Sequence, residues 1–248
     1  MKLLPLNILD KGIADYTTIW DAMRAFTEQR DAQTMDEIWL LEHPPVFTQG
    51  QAGKPEHILR FSPPIPIANE FAARRETVSN RSVQIVHEDC EQLKQRSCGF
   101  IGDRYIPLVQ TDRGGQVTYH GPGQLIAYCL LNLKQRELGV RELVSQLEQA
   151  VLTLLNAYQI PGHTDTKAPG VYVANGKIGS LGLRVRKHCS YHGLSLNVNL
   201  DLSPFHDINP CGYRDLNMVQ LADYYPQITI SEVKTKLRDI LLRQFTLV

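Results

Sequence analysis

Asn175 and Gly176 stand between two short runs, GVYV and KIGSLGLRV, each rich in apolar residues. An Asn-Gly pair in that setting is the strongest short-range sign of a β-hairpin, because both residues tolerate the backbone angles that a tight turn demands. The stretch is therefore expected to form two antiparallel strands about a turn at 175 and 176, which excludes an all-parallel sheet. A second pattern adds helix. From Val140 onward, apolar residues fall at Leu143, Val144, Leu147, Val151, Leu154, Leu155 and Tyr158, a 3.6-residue period that Pro161 and Gly162 close.

The other elements fit the same mixed class. YTTIWDAMRAF places Tyr16, Ile19, Trp20, Met23 and Phe26 on one helical face, and EIWLLE follows as a short buried strand. HPPVFTQGQAG is expected to be a proline- and glycine-rich loop. IPLVQ is a strand, and QLIAYCLLNL is a continuous apolar run suited to a central one, with Cys129 in the core. GLSLNVNL alternates Leu194, Leu196, Val198 and Leu200 with polar residues, the mark of a half-buried strand. Ser231 is expected to cap a last helix carrying Val233, Leu237, Ile240 and Leu241. At 248 residues and 43% hydrophobic, the chain has ample core for one domain of α/β or α+β class. Residues 61 to 104 are more polar and open on prolines.

Charge removes whole classes of function. Lys and Arg number 26 and so do Asp and Glu, so there is no basic excess to draw the chain onto nucleic acid or anionic lipid. The opening MKLLPLNILDKG is broken by Pro5 and ended by Asp10, too short for the core of a signal peptide. No apolar run approaches the ~20 residues of a membrane span. A cytoplasmic protein is expected. The five cysteines, Cys90, Cys98, Cys129, Cys189 and Cys211, are odd in number and lack C-x-x-C spacing, which suggests neither a disulfide framework nor a zinc site.

Three stretches carry residues that packing does not explain. TDRGGQVTYHGPGQ has four glycines and a proline within fourteen residues. Such density fits a tight surface turn or a ligand lying against the main chain, and Arg113, Tyr119 and His120 favour the ligand. In NGKIGSLGLRV, Lys177 follows the expected turn, and Gly179, Ser180 and Gly182 leave room over the strand. In SPFHDINPCGY, Pro204 and Pro210 stiffen a segment that presents Cys211 on a bend, where an ordinary core cysteine would not be found. An unperturbed thiol titrates near ~8.5, so such a nucleophile needs a base or cation beside it. His43, His188, His192 and His206 have no metal-motif spacing.

Together, TDRGGQVTYHGPGQLIAY, KIGSLGLRV, HGLSLNVN and INPCGY, with EHPPVFTQGQAGKPEHIL ahead of them, resemble the octanoyltransferase family, the lipoyl(octanoyl) transferases. The resemblance runs over about 1 to 60 and 105 to 248. It implies a single domain over 1–248, a mixed β-sheet flanked by helices of the biotin/lipoate protein ligase type, with an insertion at about 61–104. It also implies transfer of an octanoyl group from octanoyl-acyl carrier protein to one lysine of the lipoyl domains of 2-oxoacid dehydrogenase E2 subunits or of the glycine cleavage H protein. Neither cofactor nor metal is called for, and the enzyme is expected to be a monomer. Carried over residue by residue, Cys211 is the acyl-thioester nucleophile and Lys177 the general acid and base that lowers its pKa. Substrate contacts fall on Arg113, Gly114, Gly115, Gln116, Val117, Thr118, Tyr119 and His120, on Ser180, Leu181 and Gly182, and on Gly193, Leu194 and Ser195. The alternatives are an ATP-dependent ligase of the same fold, which has no use for the cysteine, a non-catalytic acyl-binding module, and an amidotransferase moving octanoate between lipoyl-domain proteins.

Overall fold

The computed structural model describes residues 5–62, 97–102 and 105–246. The chain opens with β1 (Leu6–Ile13) and α1 (Tyr16–Gln29), followed by β2 (Asp36–Glu42) and β3 (Val46–Gln49). Next come β4 (Phe61–Ser62), β5 (Ser97–Ile101), β6 (Ile106–Gln110), β7 (Val117–His120) and β8 (Gln124–Leu130). Helix α2 (Val140–Ala157) leads to β9 (Gly162–Thr164), β10 (Gly170–Val173), β11 (Gly176–Arg186) and β12 (Cys189–Asn197), and α3 (Ile230–Thr246) ends the described chain.

The strands form a seven-stranded sheet in the order β1-β2-β8-β12-β11-β10-β9 and a five-stranded sheet in the order β4-β5-β6-β3-β7. Both are mixed: β1 runs parallel to β2 and β3 parallel to β6, and the other pairs are antiparallel. Mixed sheets flanked by helices in one domain are the class expected from the hairpin and the helical period.

Strand β8 shows how the large sheet is buried on both faces. Leu125, Ala127 and Cys129 point toward α2 and α3 and join a core with Leu147, Val151, Leu154, Val233, Leu237 and Leu241. Ile126, Tyr128 and Leu130 point the other way and pack with Ile19 and Met23 of α1. Helix α1 starts where Asp15 Oδ1 accepts the Thr18 N–H at 2.9 Å, a cap of the kind worth about 1 kcal/mol.

Several local expectations are corrected. HPPVFTQGQAG is not all loop, since Val46–Gln49 is a fully buried strand of the second sheet. The strand at 189–197 is buried throughout, because helices cover one face of its sheet and α1 the other. Thr229 precedes the last helix and its Oγ1 accepts the Glu232 N–H at 3.3 Å, so Ser231 lies inside the helix. The hairpin turn is Ala174 and Asn175, one residue earlier than expected, with Val173 opposite Gly176. Of the 61–104 segment, β4 and β5 pair with each other, and β5 pairs with β6. The remainder, with Cys90, lies outside the described residues.

Candidate active site

Cys211 sits between Pro210 and Gly212 on a bend whose backbone is itself unusual. Cys211 has φ 56° and Gly212 φ 85°, two left-handed residues in succession, a conformation that costs a side-chain-bearing residue about 1–3 kcal/mol. Main-chain bonds hold it there. Gly212 N–H donates to Asn209 O (3.0 Å), Tyr213 N–H to Pro210 O (3.1 Å), and Asn209 N–H to His57 O (2.8 Å). The bend lifts the thiol out of any strand and leaves it part-exposed.

Lys177 approaches from β11. Its Nζ lies 3.3 Å from Cys211 Sγ and donates to Pro169 O at 2.9 Å, and it stands 5.2 Å from the centre of the Tyr172 ring. Gly170 makes this position available. A Cβ there would fall 2.4 Å from Lys177 Cε and 2.7 Å from Nζ. Lys177 is 1% exposed. Burial opposes its charge, but the sulfur of Cys211 and the phenol of Tyr172 favour the protonated amine, and the net effect raises its pKa above the ordinary lysine value.

Both side chains line a cavity of about 390 Å³, within the ~300–1,000 Å³ span of small-molecule pockets. Its floor is made by small residues paired across β11 and β12, Ser180 opposite Ser195 and Gly182 opposite Gly193. A Cβ on Gly193 would meet Ala127 O at 2.0 Å, so that position admits no side chain. Arg113, Gly114, Gly115, Gln116, Val117 and Thr118 run along another wall, and His120, Leu181 and Leu194 also line the cavity. Arg113 is 8% exposed and holds this wall in place. Its Nε and Nη2 donate to Thr48 Oγ1 at 3.1 and 2.9 Å, Nη1 to Gly114 O at 2.9 Å and Nη2 to Gln116 O at 2.8 Å.

Tyr119 departs from the expectation. It points to the opposite face of β7, where its ring packs 5.3 Å from Phe47 and 5.6 Å from Phe205. Strand alternation is the cause, since Thr118 and His120 on either side face the cavity.

The sequence reading passed over part of the lining, namely Tyr16, Ile126, Tyr128 and His192. Here burial suppresses charge. His120 Nδ1 meets Gln124 Oε1 at 2.6 Å and its ring stacks on Tyr16 at 6.0 Å. His43 Nε2 meets Tyr128 OH at 2.7 Å. Burial brings His43 down to about 4, holds His120 well below the usual imidazole value and pushes Tyr16 up to about 12. His192 Nε2 lies 3.0 Å from Asp112 Oδ1, yet burial still lowers the His192 pKa. Asp112 also accepts Trp20 Nε1–H at 2.8 Å and the Tyr191 hydroxyl. No cluster of three or more His, Cys, Asp or Glu suited to a metal ion occurs among the described residues.

Comparison with known proteins gives this arrangement a context. Residues 79–242 match the lipoyl protein ligase A/B catalytic domain. An octanoyltransferase of Legionella pneumophila strain Corby is 45% identical over 234 residues, covering 94% of this chain and 96% of that protein. One from Vibrio cholerae is 50% identical, covering 87% and 80%. Among solved structures, a lipoate-protein ligase A bound with ATP superposes with a TM-score of 0.62 at 13% identity, covering 98% of this chain and 86% of the other. A bipartite lipoate protein ligase of Thermoplasma acidophilum gives 0.63 at 13%, covering 98% and 84%. These structural likenesses carry the fold, and the sequence identities carry the kinship: the chain belongs to the octanoyltransferase family.

Proposed function

We propose that the chain transfers an octanoyl group from octanoyl-acyl carrier protein to a specific lysine of lipoyl domains, through a thioester on Cys211. The acceptors are the lipoyl domains of 2-oxoacid dehydrogenase E2 subunits and the glycine cleavage H protein. The observation that carries the reading is the 3.3 Å approach of Lys177 Nζ to Cys211 Sγ on the wall of the cavity. A thioester donor and an amine acceptor need not meet if a nucleophile carries the acyl group between them, and exchange of one thioester for another needs no ATP. An ammonium on Lys177 stabilises a thiolate on Cys211. The thiolate adds to the donor carbonyl, and the departing donor thiol takes its proton from Lys177. The neutral Lys177 then accepts the proton of the incoming lysine amine as that amine displaces Cys211.

The acyl chain fits the rest of the lining. Ile126, Leu181, Leu183 and Leu194 supply apolar surface beside the paired glycines, and each buried methylene contributes ~0.8 kcal/mol. Lys167 and Tyr213 are exposed residues that reach the cavity from outside. Among the described residues no helix is long and apolar enough to cross a membrane.

The test is intact mass after mixing the protein with octanoyl-acyl carrier protein in the absence of ATP. An octanoyl adduct on the wild type, absent from Cys211→Ala and discharged by an added lipoyl domain, is expected. Turnover of free octanoate that requires ATP, with no adduct from the carrier, would establish a ligase instead. An adduct formed from an octanoylated lipoyl domain in preference to the carrier would make the chain an amidotransferase.

A further inference from the structure

Adding sulfur to a thioester carbonyl drives negative charge onto the carbonyl oxygen, and a hydrogen-bond donor must be waiting there. The main-chain donors closest to hand are largely committed. Gly212 N–H and Tyr213 N–H are used inside the Cys211 bend, and Gly114 N–H donates to Leu183 O at 2.9 Å. The N–H of Cys211 itself has no acceptor among the described residues.

Gln116 is differently placed. It lines the cavity, and its Cγ and Cδ lie 3.3 and 3.6 Å from the point where a Cβ on Gly212 would sit, next to the nucleophile in sequence and in space. Its Oε1 accepts the Lys54 N–H at 3.2 Å. A main-chain N–H can only donate, so this contact assigns the amide oxygen to the Lys54 side and turns Nε2 the other way. Among the described residues nothing accepts a hydrogen bond from Gln116 Nε2. The carbonyl of Gln116 is fixed in turn by Arg113 Nη2 at 2.8 Å and by Gly50 N–H at 3.3 Å, so the side chain springs from an anchored backbone.

We propose that the side-chain amide of Gln116 is a catalytic donor, hydrogen-bonding through Nε2 to the acyl carbonyl oxygen as that oxygen becomes an oxyanion. The inference rests on the Cys211 acyl-enzyme reading. As the Sγ–C bond forms, the carbonyl π pair moves to the oxygen and is held by Gln116. When the pair returns, the donor C–S bond breaks and the donor thiolate takes the proton of Lys177. In the second half the acceptor amine adds to the same carbonyl, Gln116 holds the oxygen again, the amine proton passes to Lys177, and Sγ leaves as the thiolate. One donor thereby serves both half-reactions.

Gln116→Leu and Gln116→Glu test this. Leucine removes the donor, and glutamate keeps the shape while offering only acceptors. Two rates are measured on each variant: octanoyl transfer from octanoyl-acyl carrier protein to Cys211, by rapid quench and intact mass, and alkylation of Cys211 by iodoacetamide, by peptide mass. Alkylation displaces iodide from a methylene and builds no oxyanion. Acylation is expected to fall ~10²–10³-fold in Gln116→Leu, the usual loss for one oxyanion donor, and at least as far in Gln116→Glu. Alkylation of Gln116→Leu stays at the wild-type rate, which also reports an intact bend. Acylation of Gln116→Leu at the wild-type rate, or an equal fall in both reactions, would overturn the assignment. A wild type that forms no octanoyl adduct would bring down the acyl-enzyme reading itself, before any Gln116 variant is made.

Discussion

Two groups of side chains on one cavity treat charge in opposite ways. At the Cys211 bend, burial penalises the Lys177 ammonium, yet the sulfur, the Pro169 carbonyl and the Tyr172 phenol offer it acceptors, and its pKa rises. Around Tyr16 and Tyr128 the histidines are buried as deeply, and although Asp15 favours charge on His43 and Asp112 favours it on His192, their other neighbours are phenols, an amide, one another and the Arg113 cation. Burial prevails there and the imidazoles stay neutral. Depth of burial therefore does not decide ionisation alone; it is weighed against what the partners together return, and beside His192 even the Asp112 carboxylate is outweighed. The acyl chain thus meets imidazoles held neutral, with the Arg113 guanidinium tied up in its own hydrogen bonds, while the Lys177 charge stands where protons must move.

The contrast can be broken most sharply at the sulfur. Cys211→Ala is expected to lower transfer by ~10⁴-fold or more, as loss of a nucleophile does when no other group can replace it, measured as octanoylated lipoyl domain per unit time. Near-normal transfer by this variant would end the claim that the bend is the reactive part. Lys177→Met should cost ~10²–10⁴-fold, the range of a general acid and base, and should remove the Lys177 limb from the pH–rate profile. A variant with the wild-type profile would mean that the amine only fills space.

On the histidine side the expected effect is on stability. His43 titrates near 6.5 when unfolded and at about 4 when folded. Between these values the unfolded chain takes up a proton that the folded chain refuses, so stability is full above pH 6.5 and drains away as pH falls toward 4. The loss from His43 is about 3 kcal/mol, and His120 and His192 are lowered in the same direction. Urea midpoints followed from pH 7 to pH 4 should show the fall, and His43→Gln should flatten it. A wild-type midpoint that stays level over this range would remove the contrast. The smallest effect belongs to Tyr119, whose ring faces away from the cavity. Tyr119→Phe keeps that packing and should leave the rate of octanoyl transfer unchanged, whereas a clear loss would redraw the lining.

Periodic or punctuated elements were legible from the sequence. Helix α2 ended where Pro161 and Gly162 required, and the Asn-Gly hairpin was out by one residue. Strand β3 was hidden because Val46–Gln49 is buried on every side and shows no alternation between Pro45 and Gly50. The strand carrying Leu194 and Leu196 alternates in polarity, but its Ser195 and Asn197 are buried as well, Asn197 accepting from Gln124 Nε2 at 3.0 Å. Small residues at 179, 180 and 182 stood out in composition, whereas Gly193 and Ser195 came through the resemblance and their pairing across the sheet from the structure. That Lys177 and Cys211, thirty-four positions apart, meet in space rested on resemblance, since no local pattern encodes a contact of that range. Thr48, the partner of Arg113, lay in the stretch read as loop, and Gln116 is an uncharged side chain within a glycine-rich run, so neither stood out.

The main chain of Lys177 is stitched to the segment that follows Cys211. Its N–H donates to Asn217 O at 2.9 Å, its carbonyl accepts from Val219 N–H at 3.0 Å, and residues 177 and 218 form a parallel bridge. Base and nucleophile are thus carried on one small mechanical unit despite their distance along the chain. When a bulky protein substrate jostles the entrance, the two can ride together, and the proton path between them survives the exchange of one large visitor for the next.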